Sequence, residues 1–302
     1  MKPILKWVGG KTQILEEVFK EFPSVIQNYY EICLGGGSVM FELLLRIKQG
    51  KIKLNGKVYA YDVNNTLIHV YKNIQSDCDK LYKILQNIIQ EYVSCKQIGE
   101  INRNPATHEE ALMHKENYYY WIRKSFNALE DSTSLKGSAM FIFLNKTCFR
   151  GLYRCGPNGF NVPYGHYKNP EIVNENHLKE VHDIIQNVEF VCADFHDSMT
   201  KPIENDFVYI DPPYAPETAT SFVGYTADGF SESNHIELFQ ACHAMSKRKV
   251  NWLMSNANVP MVHEYFPNTT FEKREILCKR AINAKNPGKK TKEVFIRKSV
   301  ID

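Results

Sequence analysis

Tyr29-Tyr30-Glu31-Ile32-Cys33-Leu34-Gly35-Gly36-Gly37-Ser38, continued by VMFELLLRIK over residues 39–48, decides the fold. It reads as a buried strand, a glycine break and a helix with an apolar face. A second strand, Lys57 to Asp62 (KVYAYD), ends on an acid about 25 residues after the glycines. Asn64 or Asn65 can cap the next helix, LIHVYKNI. Strand patterns return later. Glu189 to Ala193 (EFVCA) ends at Asp194, and Asp206 to Ile210 (DFVYI) ends at Asp211-Pro212-Pro213-Tyr214. A helix over Asn234 to Ser246 follows, then a strand from Val250 to Met254, with two more near Thr270 to Cys278 and Glu293 to Val300. Strands alternating with helices predict an α/β fold with a mostly parallel sheet.

Residues 65–175 interrupt that alternation. Asp77 to Val93 and Glu109 to Glu130 carry helical spacing, and Ser138 to Thr147 reads as a buried helix. Cys148 to Pro170, rich in Gly, Pro, Asn and aromatics, predicts a loop with short hairpins. The expected organisation is one domain from 1–64 and 175–302, with 65–174 inserted as a second, mainly helical domain.

The chain has 302 residues, room for about two domains. With 43% hydrophobic and 24% charged residues it has an ordinary globular composition, which excludes a disordered, collagen-like or disulfide-miniprotein chain. No run approaches the ~18 apolar residues of a membrane span, and MKPILKWVGGK lacks the apolar stretch of a signal peptide. The eight cysteines form no CxxC pair and no zinc spacing, so reduced thiols in a reducing, cytoplasmic compartment and no metal are expected. Net charge is +3, yet Glu272 to Lys298 holds ten basic residues against three acids. Between Asp131 and Glu171 there is no acid, while Lys136, Lys146, Arg150, Arg154 and Lys168 fall there. Such stretches fit either a polyanion surface or a solvated face.

In an open parallel sheet, ligands sit beyond the carboxyl ends of the strands. The Gly35 to Gly37 turn there admits a ligand to the backbone, or merely packs tightly; the GxGxxG pattern fails, because Met40 stands where its last glycine belongs. Asp62 is placed to hold ribose hydroxyls. Asp211-Pro212-Pro213-Tyr214 says more. Two prolines remove two backbone donors and fix two φ angles. What remains is a stiff, acceptor-only corner of carboxylate, carbonyl and aromatic plate, suited to an NH₂ group on a flat ring.

In order, Lys6-Trp7-Val8-Gly9-Gly10-Lys11, Gly35-Gly36-Gly37-Ser38, Asp62-Val63-Asn64 and Asp211-Pro212-Pro213-Tyr214 resemble the DNA adenine methyltransferase (Dam) family. The likeness continues through Asn145-Lys146-Thr147-Cys148-Phe149-Arg150-Gly151-Leu152-Tyr153-Arg154, Phe160-Asn161-Val162-Pro163-Tyr164-Gly165 and Arg280-Ala281-Ile282-Asn283, essentially the whole chain. The resemblance implies a Rossmann-like class I methyltransferase sheet with an inserted DNA-recognition domain. It implies transfer of a methyl group from S-adenosyl-L-methionine to N6 of a flipped-out adenine in double-stranded DNA, within a GATC-like site. Asp211, Pro212 and Tyr214 would be catalytic. Trp7, Lys11, Gly35, Gly37, Asp62, Asp194, Phe195 and Asp211 would meet the cofactor. Lys11 would pair with the methionine carboxylate, and Asp194-Phe195 would take the cofactor's adenine.

For DNA the resemblance implies Lys6, Phe149, Arg150, Leu152, Arg154, Pro163 and Arg280. Phe149 would wedge into the gap, Arg154 would bridge O6 and N7 of guanine, Arg150 would contact phosphate, and Pro163 would touch a thymine methyl. Arg280 would point near the extruded base from a backbone-contacting segment, Lys273 to Lys298. Trp7 can equally anchor a core, and Asp194 can simply close its strand. Two departures stand out: Ile32-Cys33 replaces the family's usual Pro-Phe after the Glu, and Arg150 stands where Asn is frequent. Ser221, Phe222, Tyr225, Thr226, Phe230 and Ser231 suggest a flap over the pocket. A cognate restriction endonuclease is an implied partner, the assembly a monomer or weak dimer, and the compartment the cytoplasm (a host's, for a viral source). Two rival readings remain: a methyltransferase for RNA or a protein amide, and an inactive DNA-binding protein on the same fold. A nicotinamide dehydrogenase lacks its phosphate-cradling glycines.

Overall fold

The computed structural model describes residues 1–216, 229–279 and 290–298. Ser221, Phe222, Tyr225, Thr226 and the Arg280-Ala281-Ile282-Asn283 element lie outside the described residues. Two compact units emerge: residues 1–2, 10–63 and, of those described, 187–298 make the first, and residues 3–9 with 64–186 the second.

Seven strands form the sheet of the first unit, numbered in chain order: β1 (Tyr29–Ile32), β2 (Val58–Asp62), β3 (Val188–Cys192), β4 (Phe207–Ile210), β5 (Asn251–Ala257), β6 (Phe271–Lys279) and β7 (Lys290–Lys298). Their spatial order is 3-2-1-4-5-7-6. The first five are parallel. β7 runs antiparallel to both β5 and β6. This is a mixed α/β, Rossmann-like sheet. Strand order reverses between β1 and β4, the switch point beside which such sheets hold ligands. The two strands are in register there, Ile32 opposite Ile210, and the Asp211 N–H donates to the Ile32 carbonyl at 3.2 Å.

Every residue of β1 and β4 is buried, as a sheet covered on both faces requires. On one face Ile32, Ile210, Trp252 and Met254 pack on Leu238, Phe239, Cys242 and Met245 of the helix Glu232–Lys247. Ser231 and Asn234 close that helix's N-terminus with a reciprocal capping box. Alternation along the strands puts Tyr29, Glu31, Tyr209, Ser255 and Glu293 on the opposite face. After β1 the chain turns through Cys33 and Gly35 at positive φ into Gly37, at φ 70° before the helix Ser38–Lys48. A Cβ at Gly37 would also meet Phe41 Cε2 at 3.2 Å, so this bend needs glycine.

In the second unit a long helix, Asn65–Ser94, breaks its helical geometry at Asp77 and joins two segments that read separately in the sequence. Asn64 caps it, accepting from the Leu67 N–H at 3.0 Å. It packs against Leu135–Thr147, buried almost all round. The single helix expected over 109–130 is two, His108–Ala111 and Lys115–Asn127. The carbonyls of Leu112 and Met113 instead accept the N–H groups of Lys96 and Ile98, which opens the helical ladder. Cys148 to Pro170 holds a two-residue ladder, Cys155–Gly156 with Gly159–Phe160, an antiparallel bridge between Cys148 and Tyr164, and one tight turn.

The boundaries differ from the expected 64/65 and 174/175. Helix Glu175–Ile184 belongs to the second unit: Gln75 Nε2 donates to the Ile185 carbonyl at 2.7 Å, and His182 Nδ1 lies 2.7 Å from the Ile74 carbonyl. Residues 3–9 join it as well, because Asn145 pairs with both the N–H and the carbonyl of Lys6 at 2.8 Å. Cysteines 33, 78, 95, 148, 155, 192 and 242 are unbridged. No helix among the described residues is long and apolar enough to cross a membrane.

Candidate active site and nucleic-acid interface

The acceptor corner stands at the carboxyl end of β4. Lys11 Nζ lies 2.6 Å from both oxygens of Asp211, two residues 200 positions apart in sequence. The ammonium is almost wholly buried and the carboxylate 19% exposed. Burial raises the Asp211 pKa, and Glu293 adds to the rise, while the charge and hydrogen bonds of Lys11 oppose it. The Lys11 N–H donates to Ser38 Oγ at 3.1 Å, tying the N-terminal segment to the glycine turn. Pro212 is buried. The Tyr214 hydroxyl lies 2.6 Å from Ser255 Oγ and donates to Glu293 Oε2 at 2.8 Å. Asn256 Oδ1 takes the Ala215 N–H at 3.0 Å, while its buried Nδ2 has no hydrogen-bond partner. Lys11 Nζ stands 5.0 Å from the centre of the Tyr214 ring.

Glu31 is a second buried carboxyl, 3% exposed. Burial pushes its pKa up to about 8 against the pull of the Tyr29 hydroxyl, which donates to it at 2.6 Å; the Asp211 charge adds to the rise. Asp62 accepts the Gly35 N–H at 2.9 Å, fixing the glycine turn to the end of β2. Asp194, two residues past the end of β3, caps the short helix Phe195–Ser198 by accepting from the Asp197 N–H at 3.0 Å. Phe195 is buried, stacked on His196 at 4.0 Å and 5.8 Å from Phe230. The first unit thus gathers Lys11, Asp211, Pro212 and Tyr214, and pairs Gly35 with Asp62. Glu31, Ser255, Asn256 and Glu293 escaped sequence reasoning. Glu31 alone left a signal, a carboxyl inside an apolar strand.

Trp7 lies in the second unit, partly buried, where it stacks on Tyr153 at 5.7 Å. Lys6 is half-buried, with Nζ donating to the Lys146 carbonyl at 3.2 Å and lying 3.9 Å from the Tyr167 ring centre. Burial lowers its pKa. The loop that follows is a clasp: Phe149 N–H to the Pro163 carbonyl and Gly165 N–H to the Thr147 carbonyl, both 2.8 Å. It presents Phe149 (43% exposed), Arg150, Arg154 and Pro163 outward, with Leu152 partly covered. Arg150 sits at φ 56°, its guanidinium 5.2 Å from the Phe149 ring. Arg154 donates through Nε to Asn161 Oδ1 at 2.6 Å and through Nη2 to the Asn161 carbonyl at 3.2 Å. Two of its five donors are therefore committed to holding the fork.

The basic C-terminal stretch is less open than its composition implies. Arg274 pairs with Glu17 and Glu21, Arg297 with Glu21 and Glu272, and Lys292 with Glu275.

A family model described as D12 class N6 adenine-specific DNA methyltransferase matches residues 7–279. The chain is 36% identical over 299 residues to type II methyltransferase M.MjaIII of Methanocaldococcus jannaschii, covering 96% of both. It is 27% identical over 297 residues to type II methyltransferase M1.LlaDCHI of Lactococcus lactis subsp. cremoris, covering 96% of this chain and 93% of the relative. It is 28% identical over 297 residues to the DNA adenine methylase of Haemophilus influenzae, covering 96% and 91%. The match spans both the Asp211–Tyr214 corner and the exposed clasp, and the chain belongs to the D12 class of N6 adenine-specific DNA methyltransferases.

Proposed function

We propose that this methyltransferase uses S-adenosyl-L-methionine to methylate N6 of an adenine rotated out of duplex DNA, within a GATC-like site. The observation that carries the reading is the acceptor-only corner at the switch point, Asp211 with Pro212 and Tyr214, its carboxylate gripped by Lys11. The surrounding charge suits a cationic donor: the Asp211 and Glu293 carboxylates interact electrostatically, with the Lys11 ammonium on Asp211, while burial favours the neutral form of Glu31. S-adenosyl-L-methionine supplies, when bound, a methyl group on a positively charged sulfur. Lys11, Gly35, Gly37, Asp62 and the Asp194–Phe195 pair would hold it.

The chain's own residues then act on adenine. Extrusion costs a few kcal/mol, and exposed Phe149 replaces lost stacking. Tyr214 stacks on the base. Asp211 and the Pro212 carbonyl accept hydrogen bonds from the two N6–H groups, drawing the nitrogen lone pair out of ring conjugation. As N6 takes the methyl group positive charge develops on it; both acceptors stabilise that charge without reorganising, and one N6 proton then passes by way of Asp211 to solvent. Lys11 serves here by keeping Asp211 ionised against burial. In the recognition unit, Arg154 reads guanine, Arg150 and Lys6 take phosphate, and Leu152 and Pro163 make apolar contacts. The type II names of two relatives support a cognate restriction endonuclease as partner, and we take the enzyme to act inside the cell as a monomer or weak dimer.

The test is incubation with methyl-labelled donor and equal amounts of duplex DNA, RNA and protein, followed by nucleoside analysis. Label in N6-methyldeoxyadenosine is expected. Label confined to RNA or protein would overturn the reading, as would tight DNA binding with no transfer.

A further inference from the structure

We infer that Glu293, on β7, is a positioning residue for methyl transfer: with Ser255 it pins the Tyr214 hydroxyl and so fixes the plane of the ring against the target base. This rests on the reading of the Asp211–Tyr214 corner as the adenine site.

The geometry is specific. Tyr214 donates to Glu293 Oε2 at 2.8 Å and meets Ser255 Oγ at 2.6 Å. Glu293 is 7% exposed and Ser255 fully buried. The acceptor Glu293 and its companion Ser255, whose hydroxyl donates to the phenol oxygen, come from adjacent strands, with Glu293 opposite Ala257 and Phe295 opposite Ser255 in the β7–β5 ladder. Insertion of β7 next to β5 is what brings a residue 79 positions downstream onto the tyrosine. The corner is then held at three places. Prolines fix the backbone before the ring, Asn256 takes the Ala215 N–H just after it, and the Glu293–Ser255 pair takes the ring's far end. Both ends of the side chain are thereby held, which restricts the swing of the ring.

A carboxylate is an expensive choice for this task. It is buried, and it raises the pKa of Asp211, the neighbour that must stay ionised. A neutral acceptor would avoid that repulsion. The charged acceptor gives a stronger, more directional bond to the phenol, which has value where ring orientation governs approach of N6.

The test compares Glu293→Ala, Glu293→Gln and Tyr214→Phe, and adds Glu293→Ala in the Tyr214→Phe background, with kcat and with KM for DNA and donor measured on each. Misplacement of a reacting group by about 1 Å costs on the order of a hundredfold. Glu293→Ala should therefore lower kcat by about 10- to 100-fold, leaving both KM values within about threefold. Glu293→Gln, which keeps an acceptor, should restore kcat to within about threefold. In the Tyr214→Phe background, Glu293→Ala should cost no more than about twofold further. Wild-type kcat in Glu293→Ala, or the same loss with and without the phenol, overturns the inference. Should Glu293→Ala not fold, Tyr214→Phe decides: it must show the same kcat loss, and unchanged kcat there refutes the proposal. Failure of the adenine reading looks different, because Asp211→Ala would then retain methyl transfer whatever Glu293 does.

Discussion

Replacing Glu31 with glutamine should make the first unit more stable at alkaline pH and change it little in acid. Glu31 is buried inside β1 and accepts the Tyr29 hydroxyl at 2.6 Å. Its pKa is raised from 4.5 to about 8, chiefly by burial. The folded state therefore prefers the protonated form. The stability Glu31 contributes is fully present below about 4.5 and is lost as pH rises through about 8. Each pH unit in that window costs about 1.4 kcal/mol, so between pH 5 and 8 wild type should lose roughly 3–4 kcal/mol through this one group. Glutamine keeps an oxygen for Tyr29 and carries no such slope. Urea unfolding at pH 5, 6.5 and 8, read by Trp252 fluorescence after Trp7→Phe and Trp121→Phe in both backgrounds, isolates the first unit. The difference between Glu31→Gln and wild type should grow in the variant's favour by that amount. Curves that stay parallel from pH 5 to 8 would show that the carboxyl titrates normally and that burial does not dominate it.

Lys11→Met should leave Asp211 buried without its cation, raise its pKa further and move the acid limb of the kcat–pH profile to higher pH; an unmoved limb would remove Lys11 from that role. Arg154→Ala should relax preference at one base pair by about 1–3 kcal/mol, measured on a panel of single-base site variants; uniform weakening with a shallower salt dependence would reassign Arg154 to phosphate. Gly151→Ala should destabilise the second unit by about 1–3 kcal/mol, because Gly151 sits at φ 64° and a Cβ would fall 2.4 Å from Lys6 Cβ. Its melting temperature and the protease sensitivity of residues 3–9 report this, and wild-type values for both would contradict the packing described.

Local pattern made the sheet legible. The runs that became β1, β2, β3, β4 and β5 are apolar, short and punctuated, and each strand begins and ends within three residues of its expected bounds. The Asp211–Tyr214 corner was legible for the same reason, since prolines act on their own backbone. What the sequence hid is long-range. Nothing near Lys11 announces a carboxylate 200 positions away. An apolar stretch such as that around Val294 reads identically whether β7 lies outside β6 or between β5 and β6, and only the second order delivers Glu293 to Tyr214. No local pattern attaches the helix Glu175–Ile184 to the second unit, because the partners of its C-terminal end, Ile74 and Gln75, lie about a hundred residues earlier. Asn161 looks like any loop asparagine until it is seen holding the Arg154 fork.

The most direct test is methyl transfer by Asp211→Ala beside its DNA binding, with labelled donor and a duplex carrying GATC sites. If Asp211 accepts the adenine amine, turnover disappears into background while the affinity for duplex stays within about threefold of wild type. Substantial N6-methyladenine formation by that variant would contradict the account.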